Sequence, residues 1–251
     1  MSDNSLNGKN VVVLGASRGV GREIVRRAHA EQGSVLAVAR GRDGLASLAQ
    51  EQAGVRTLSL DASGPGAPQQ VFEAMLPDVL VICGGAIPAT APLQELSWSE
   101  FAAPWETDVR MSFLFCGHVL RTPLAPGSQI ILISSGAGLG GSPISGGYAG
   151  SKRMQMFMAA YCQKESTRLG LGIHFTALVP MRIMPETELG ETAVRGYARY
   201  LGIAPADFVQ GMTERQSTHQ VADAVIRVAT GQIGVKDTVL AVSAQGVSPV
   251  S

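Results

Sequence analysis

Residues 10–21 read NVVVLGASRGVG, and this stretch decides the fold class. The β-branched run at residues 10–15 is typical of a buried parallel strand. It leads into three glycines, Gly15, Gly19 and Gly21, and an amphipathic helical pattern follows. Strand, glycine loop and helix in this order favour a phosphate-binding turn, because a helix N-terminus offers free N–H groups to an anion. The plainer alternative is an ordinary left-handed turn.

Each glycine of this loop has an expected part in a dinucleotide site. Gly15 permits the tight turn, Gly19 lets a pyrophosphate approach the backbone, and Gly21 lets the helix pack closely on the strand. Three neighbouring residues complete the predicted cofactor-contacting loop: Ser17, Arg18 and Val20.

The end of the second predicted strand, residues 34–39, indicates which dinucleotide binds. NAD-specific folds place a carboxylate there for the ribose 2′-hydroxyl, whereas an arginine nearby accommodates a 2′-phosphate. Arg40 occupies this place, no acidic residue comes before Asp43, and Arg18 adds a second positive charge. The two arginines together favour NADP, although either alone is compatible with a solvated surface charge.

Strand and helix patterns alternate along the rest of the chain. Strands are predicted at residues 55–60, 78–82, 129–133, 171–178 and 237–242, and helices at 45–53, 69–76, 97–120 (with a break near Pro104), 148–164 and 218–229 (with Thr218 as the N-cap). This alternation predicts an α/β fold, a single-domain Rossmann-type doubly wound parallel β-sheet flanked by helices.

Two more strand ends are expected to contact the cofactor. Asp61 can accept a hydrogen bond from an adenine amino group, and Ala62 follows it. Cys83, Gly84 and Gly85 allow the backbone to lie flat against a ribose. Ligands of open α/β sheets bind at the carboxyl ends of the strands, so both turns are expected at one site.

Residues 134–152 carry groups suited to proton transfer. Tyr148 and Lys152 are four residues apart, so on a helix their side chains leave the same face. A nearby ammonium favours the phenolate and lowers the phenol pKa, which is otherwise about 10. Ser134 and Ser135 end a predicted strand, where ligands bind. The pattern Tyr-x-x-x-Lys alone is weak, and an ordinary helix pair is the alternative.

Composition limits the kinds of partner. The 251 residues are 45% hydrophobic, which suits one large α/β domain, and the formal net charge is +0. Lysine and arginine are scattered, which argues against nucleic acid. Three cysteines without a CxxC motif indicate a reducing compartment. The polar first ten residues lack a signal-peptide core, and no apolar run approaches the roughly 18 residues of a membrane span. We expect a cytoplasmic protein with neither a membrane partner nor a metal.

These motifs together resemble the short-chain dehydrogenase/reductase family over nearly the whole chain. The family's order and spacing are matched by the glycine loop, Asp61, the turn at residues 83–85, Ser135, the Tyr148–Lys152 pair and Pro180. The resemblance implies that Tyr148 is a general acid/base and that Lys152 holds the nicotinamide ribose and lowers the Tyr148 pKa. It implies that Ser135, which fits the family interval better than Ser134, polarises a carbonyl. A homo-oligomer, dimer or tetramer, is also implied.

Three positions depart from the family pattern. Asp108 aligns with an asparagine that relays protons to the lysine, and its charge would weaken the pull of Lys152 on Tyr148. The usual asparagine-rich turn is replaced by residues 82–85, which keep small side chains and lose the amides. After Pro180 the usual glycine is Met181, and the threonine expected next is out of register, since Pro185 falls near its place and Thr187 beyond it. Ile183 is still expected to contact the nicotinamide carboxamide through its backbone.

The resemblance implies an NADP-dependent oxidoreductase that interconverts a carbonyl (ketone, aldehyde or 3-oxoacyl group) and an alcohol by hydride transfer. One domain is expected over residues 1–251, with a substrate loop or lid at about 181–214. Four apolar or aromatic residues of that loop are expected either to line a pocket or to form the core of a helical pair: Tyr197, Tyr200, Phe208 and Met212. The alternatives are a catalytically silent dinucleotide-binding regulator and a redox-neutral epimerase or dehydratase.

Overall fold

The computed structural model describes residues 5–234 and 237–250. The expected domain, 1–251, therefore includes residues 1–4, 235–236 and 251, which lie outside the described residues.

Within the described ranges, eight strands form one sheet in the order β3-β2-β1-β4-β5-β6-β7-β8. They are β1 (Asn10–Leu14), β2 (Ser34–Ala39), β3 (Arg56–Ser59), β4 (Val79–Ile82), β5 (Gln129–Ile133), β6 (His174–Pro180), β7 (Val239–Ser243) and β8 (Gly246–Pro249). Neighbours from β3 to β7 are parallel, and β8 pairs with β7 antiparallel. The single-domain, doubly wound α/β prediction is confirmed, with an antiparallel edge strand that was not predicted.

Helices connect successive strands and cover both faces of the sheet. They are α1 (Gly19–Ala30), α2 (Arg42–Glu51), α3 (Ala67–Ala74), α4 (Trp98–Pro104), α5 (Arg110–Arg121), α6 (Ala137–Gly140), α7 (Gly146–Arg168), α8 (Glu188–Leu201), α9 (Pro205–Gln210) and α10 (Thr218–Ala229). None of the helices in the described part of the chain is both long and apolar enough to cross a bilayer.

The core consists of two layers, one on each face of the sheet. Along β1, Val11 and Val13 pack with buried residues of α1, α2 and α10, while Val12 and Leu14 pack with those of α3, α5 and α7. Each of these four side chains is at most 1% exposed. A parallel strand buried on both faces needs a continuous apolar run, which explains why residues 11–14 show no polar alternation.

The predicted helix at residues 97–120 is two helices joined by a π-helical turn. α4 ends at Pro104, which has no N–H to donate to the carbonyl oxygen of Glu100, four residues earlier. The turn Trp105–Val109 follows, and α5 begins at Arg110. Single π-helical turns inside helices often occur at functional sites, and this one carries Asp108.

Among the element boundaries that differ from the predictions, those of β6 and α10 have a clear physical reason. β6 begins at His174 rather than at residue 171, because Gly172 lies in a turn with φ +66°. The N-cap of α10 is Ser217, not Thr218. Ser217 Oγ accepts from the Gln220 backbone N–H at 3.3 Å, and Gln220 Oε1 accepts from the Ser217 N–H at 2.9 Å. This reciprocal pair is a capping box, so Thr218 becomes the first helical residue.

Candidate active site

A cavity of about 700 Å³ lies along the carboxyl ends of the parallel strands. It runs from the loop after β1, past the ends of β2, β3 and β4, to the start of α7 and the first turns of α8. Every residue that the sequence analysis assigned to catalysis or to cofactor binding lines this cavity. The fold therefore brings together groups that are up to 168 positions apart, Gly15 and Ile183 being the outermost.

The glycine loop forms a backbone cradle at the head of α1. Gly15 has φ +81°, and a Cβ there would lie 2.4 Å from the Gly84 Cα, so only glycine fits between the ends of β1 and β4. α1 begins at Gly19, and Arg18 before it makes no side-chain cap. The first N–H groups of α1 are therefore open to an anion, as a pyrophosphate requires. The cradle fits a dinucleotide.

Two arginines and a carboxylate also line the cavity near the cradle. Arg40 is exposed at the tip of β2. Arg18 forms an ion pair with Glu188, in the first turn of α8. Asp61 Oδ1 accepts from the Ser63 hydroxyl at 2.7 Å and from its N–H at 3.0 Å. The Ser63 bonds lower the pKa of Asp61, which therefore stays ionised as an acceptor.

Tyr148 lies in the first turn of α7 and borders the cavity. Burial raises the pKa of its phenol, the Lys152 ammonium and the Ser135 hydroxyl lower it, and the Asp108 carboxylate raises it again. The pKa of Tyr148 is raised overall, because desolvation is the largest of these effects. The expected lowering by Lys152 is present, but burial outweighs it.

The two serines that end β5 point to different partners. Ser134 is 3% exposed, and its hydroxyl donates to the Lys152 carbonyl oxygen at 2.7 Å, which ties β5 to α7. Ser135 Oγ accepts from the Ala137 N–H at 3.2 Å and is the serine that reaches Tyr148. Of the two, only the Ser135 hydroxyl is free of a structural carbonyl bond.

Lys152 is 5% exposed, and its ammonium lies 5.6 Å from the centre of the Tyr148 ring. It donates to the Ile133 carbonyl oxygen at 3.2 Å and to Gln155 Oε1 at 3.0 Å. Asp108 Oδ2 lies 3.0 Å from Lys152 Nζ as its ion-pair partner. Asp108 is the main group that raises the Lys152 pKa against the effect of burial.

Asp108 is 1% exposed and is held from the side opposite Lys152. Its Oδ1 accepts from the Ala86 N–H and from the Thr107 hydroxyl, both at 2.9 Å. A Cβ on Gly85 would lie 2.6 Å from Oδ2, so the small residues after β4 leave room for this carboxylate. Burial also raises the pKa of the neighbouring Cys83 thiol to about 12, which keeps it neutral.

The segment after β6 forms the remaining wall. The Pro180 carbonyl oxygen accepts from the Gly136 N–H at 2.8 Å, and the Met181 N–H donates to the Val242 carbonyl oxygen at 3.1 Å. Ile183 and Thr187 both line the cavity. Thr187 Oγ1 accepts from the Gly190 N–H at 2.9 Å and caps α8, which gives this threonine a structural task besides its place at the cavity.

α8 lines the cavity from Glu188 in its first turn to Tyr197. The Tyr197 hydroxyl donates to Ser142 Oγ at 2.8 Å, and the Tyr197 ring stacks on Phe208 of α9 at 5.3 Å between centroids. Tyr197 was expected either to line a pocket or to pack in a helical pair, and it does both: it lines the cavity and packs against α9. Tyr200 is 49% exposed and is not among the lining residues.

The family model described as short chain dehydrogenase matches residues 9–195. The chain belongs to the short-chain dehydrogenase family. The L-xylulose reductase of Bos taurus is 29% identical over 132 residues, which are 53% of this chain and 54% of that protein. The aligned part of the chain thus spans about half the length of this curated relative.

Solved structures with the same fold cover nearly the whole chain. A 3-ketoacyl-(acyl-carrier-protein) reductase from Brucella melitensis, complexed with NADH, has a TM-score of 0.79 at 20% identity and covers 96% of this chain and 98% of its own. A provisionally assigned 2-deoxy-D-gluconate 3-dehydrogenase from Agrobacterium tumefaciens, with bound NADP, has a TM-score of 0.78 at 21% identity and covers 97% and 98%. At these identities the likeness shows the fold alone.

Several residues at this short-chain dehydrogenase site were not found from the sequence. Gln155 contacts Lys152, and the signal was its place three positions later, on the same helix face. The hydroxyls of Ser142 and Ser145, 2.9 Å apart, also line the cavity. Nothing local marks them, since their proximity to Tyr197 depends on the tertiary fold. Among the described residues, no cluster of three His, Cys, Asp or Glu side chains is arranged to hold a metal.

Proposed function

We propose that this protein is an NADP-dependent oxidoreductase that interconverts a carbonyl (a ketone, an aldehyde or a 3-oxoacyl group) and an alcohol. One observation carries the proposal. Tyr148, Lys152 and Ser135 meet in the same cavity as the glycine cradle at the head of α1. A proton-transfer group beside a dinucleotide cradle suits hydride chemistry, in which one proton moves for each hydride.

Different residues are proposed to bind different parts of the cofactor. The open N–H groups at the start of α1 suit the pyrophosphate, with Gly15, Gly19 and Gly21 as its backbone contacts. Arg40 and Arg18 are proposed to bind a 2′-phosphate, Asp61 and Ala62 the adenine, and residues 83–85 a ribose. Pro180 and Ile183 are assigned to the nicotinamide. NADP rather than NAD is proposed because Arg40 follows β2 directly and no acidic residue comes before Asp43.

Side chains of this protein are proposed to transfer the proton and to stabilise the negative charge on the phenolate and on the carbonyl oxygen. When bound, the nicotinamide cofactor supplies or accepts a hydride. In the reducing direction the Tyr148 hydroxyl gives its proton to the oxygen of the substrate carbonyl, and in the oxidising direction the phenolate takes it back. Ser135 donates a hydrogen bond to the same oxygen, and the Lys152 ammonium stabilises the phenolate.

The cavity walls favour a small, uncharged substrate. Apolar side chains of Ile87, Ile144 and Leu189 line the substrate end together with serine hydroxyls. Arg182, a cation of the segment after β6 that lines the cavity, is paired with Glu214 at 3.0 Å. We propose a small carbonyl or alcohol substrate that reaches the site when α8, within the proposed lid at 181–214, moves.

Location and assembly are further parts of the proposal. Three free thiols, Cys83, Cys116 and Cys162, suit the reducing cytoplasm. A homo-oligomer, dimer or tetramer, is supported by the exposed aromatic side chains on two long helices, Phe113 of α5 and Phe157 of α7, since such side chains are enriched at interfaces. Neither nucleic acid nor membrane is proposed as a partner.

The function is tested by following NADPH absorbance during incubation with a panel of ketones, aldehydes and 3-oxoacyl thioesters. We expect substrate-dependent NADPH oxidation with at least one member, and the reverse reaction with the matching alcohol and NADP⁺. If NADPH binds but no carbonyl is reduced, the protein is instead a silent dinucleotide-binding regulator. Conversion of a substrate without net NADPH oxidation would point to an epimerase or dehydratase.

A further inference from the structure

The Lys152 ammonium has a buried side-chain hydrogen-bond acceptor, Gln155, that the reaction chemistry alone does not explain. Gln155, one helical turn further along α7, is 0% exposed and accepts from Lys152 Nζ at 3.0 Å. A fully buried amide within a long helix is costly unless its polar atoms are satisfied. A buried glutamine at this position therefore needs a donor for its Oε1 and an acceptor for its Nε2.

A second buried residue fixes which end of that amide faces Lys152. Gln155 Nε2 donates to Ser112 Oγ at 3.0 Å, and the Ser112 hydroxyl donates to the Asp108 carbonyl oxygen at 2.8 Å. Ser112 is 0% exposed. Because the Ser112 proton is committed to a carbonyl, its oxygen accepts from the amide NH₂, and Gln155 Oε1 is left facing the ammonium. A flipped amide would turn NH₂ donors toward a donor.

We propose that Gln155 is a positioning residue, oriented by Ser112, which holds the Lys152 ammonium beside Tyr148 and opposes the attraction of Asp108. The catalytic part of this inference rests on the proposed function. Two hydrogen bonds, to Ile133 and to Gln155, fix the ammonium. An ammonium has three N–H donors, so one remains outside these two bonds.

The charged and titratable groups that face Lys152 come from three elements. Asp108 approaches from the π-helical turn, Tyr148 from the preceding turn of α7, and Cys83 from the end of β4. Gln155 is the neutral acceptor among them. Without Gln155, the ammonium loses its neutral side-chain acceptor, and Asp108 remains as the charged side chain nearest to it among the described residues. The pull of Lys152 on the Tyr148 phenolate then weakens.

The direct test is NMR titration of ¹³C-labelled lysine side chains, which requires no turnover. The chain has four lysines, so the Lys152 signal is identified by its loss in Lys152→Met. In Gln155→Met we expect a lower Lys152 pKa than in the wild type, because a bond to the charged form is gone. In Ser112→Ala the amide is free to turn, and we expect a smaller shift in the same direction.

Ser166→Ala is the matched control. Its hydroxyl is also buried, at 1% exposure, and also donates to a main-chain oxygen, that of Ile173, at 2.7 Å. It contacts neither Lys152 nor Gln155, so the Lys152 pKa should equal that of the wild type. This control separates the effect of losing any buried hydroxyl from the effect of losing the hydroxyl that orients Gln155. Should Gln155→Met fail to fold, Ser112→Ala carries the test.

The kinetic consequence separates positioning from packing. In Gln155→Met we expect kcat for carbonyl reduction to fall roughly tenfold, and the alkaline limb of the rate profile to move to higher pH as the Tyr148 pKa rises. An unchanged Lys152 pKa in both folded variants overturns the inference. If the wild type shows no turnover, the proposed function fails, while the NMR result still decides the role of Gln155.

Discussion

At the residue scale, the site balances one buried cation against two groups that titrate or carry charge. The Lys152 ammonium favours the Tyr148 phenolate, whereas burial and the Asp108 carboxylate oppose it. The family resemblance implied the attraction, and the aspartate at position 108 predicted the opposition. The structure places the Asp108 carboxylate 3.0 Å from Nζ and adds Gln155, which accepts from the same ammonium. The pH at which Tyr148 works therefore depends on both neighbours.

Replacement of Asp108 tests this balance. Asp108 raises the Tyr148 pKa, so Asp108→Asn should lower it. Carbonyl reduction needs the protonated phenol, and its alkaline limb should move to lower pH; alcohol oxidation needs the phenolate, and its acidic limb should also move to lower pH. The pH dependence of kcat/KM in both directions measures this. Limbs that stay in place would show that Asp108 does not act on Tyr148.

Replacement of Arg40 tests the choice of cofactor. A charge-assisted bond to the 2′-phosphate contributes roughly 1.5–3 kcal/mol, so Arg40→Ala should weaken NADPH binding about tenfold or more and leave NADH binding nearly unchanged. Nicotinamide fluorescence gives both dissociation constants. Arg42→Ala is the control, because Arg42 is exposed but does not line the cavity. Equal effects on both cofactors would contradict the assignment of Arg40.

At the element scale, the sequence predicted what depends on local chemistry. The strand, glycine loop and helix at residues 10–21 were predicted because each step has a local signal. β8 was not predicted, because its four residues, GVSP, have no apolar period and become a strand only by pairing with β7. The N-cap of α10 was assigned to Thr218 because serine and threonine are both good caps, and only the Gln220 contact favours Ser217.

The cap of α10 can be checked by unfolding. Ser217→Ala removes the hydroxyl that accepts from Gln220 and should lower the free energy of unfolding by about 1 kcal/mol. Thr218→Ala is the paired control and should change it far less, since Thr218 is the first helical residue. Urea titration of the two variants compares them directly. A larger loss in Thr218→Ala would return the cap to that residue.

At the scale of the whole molecule, the sequence predicted residues that line the proposed cofactor half of the cavity, but few of those at its other end. The cofactor half consists of turns at strand ends, and their order along the chain follows from a parallel sheet. The substrate half depends on side chains from distant segments, such as the 2.8 Å bond between Tyr197 and Ser142. No local pattern encodes that contact. For the same reason the substrate is proposed only as a class.

Assembly is also a property of this scale. Phe113 is 65% exposed on α5, and Phe157 and Tyr161 of α7 are 41% and 53% exposed. We expect light scattering to give the mass of a dimer or tetramer of the 26.2 kDa chain. Phe113→Ser or Phe157→Ser should shift the mass toward one chain. A wild-type mass of a single chain would contradict the proposed oligomer.

The most direct test of the account is the kcat of Tyr148→Phe for carbonyl reduction, with NADPH binding measured on the same sample. Phenylalanine keeps the ring and removes the acidic proton. Loss of a positioned general acid lowers kcat by about 10² to 10⁴-fold, and we predict a fall in this range with NADPH affinity nearly unchanged. A Tyr148→Phe protein that reduces the carbonyl as fast as the wild type would contradict the assignment of Tyr148 and the mechanism built on it.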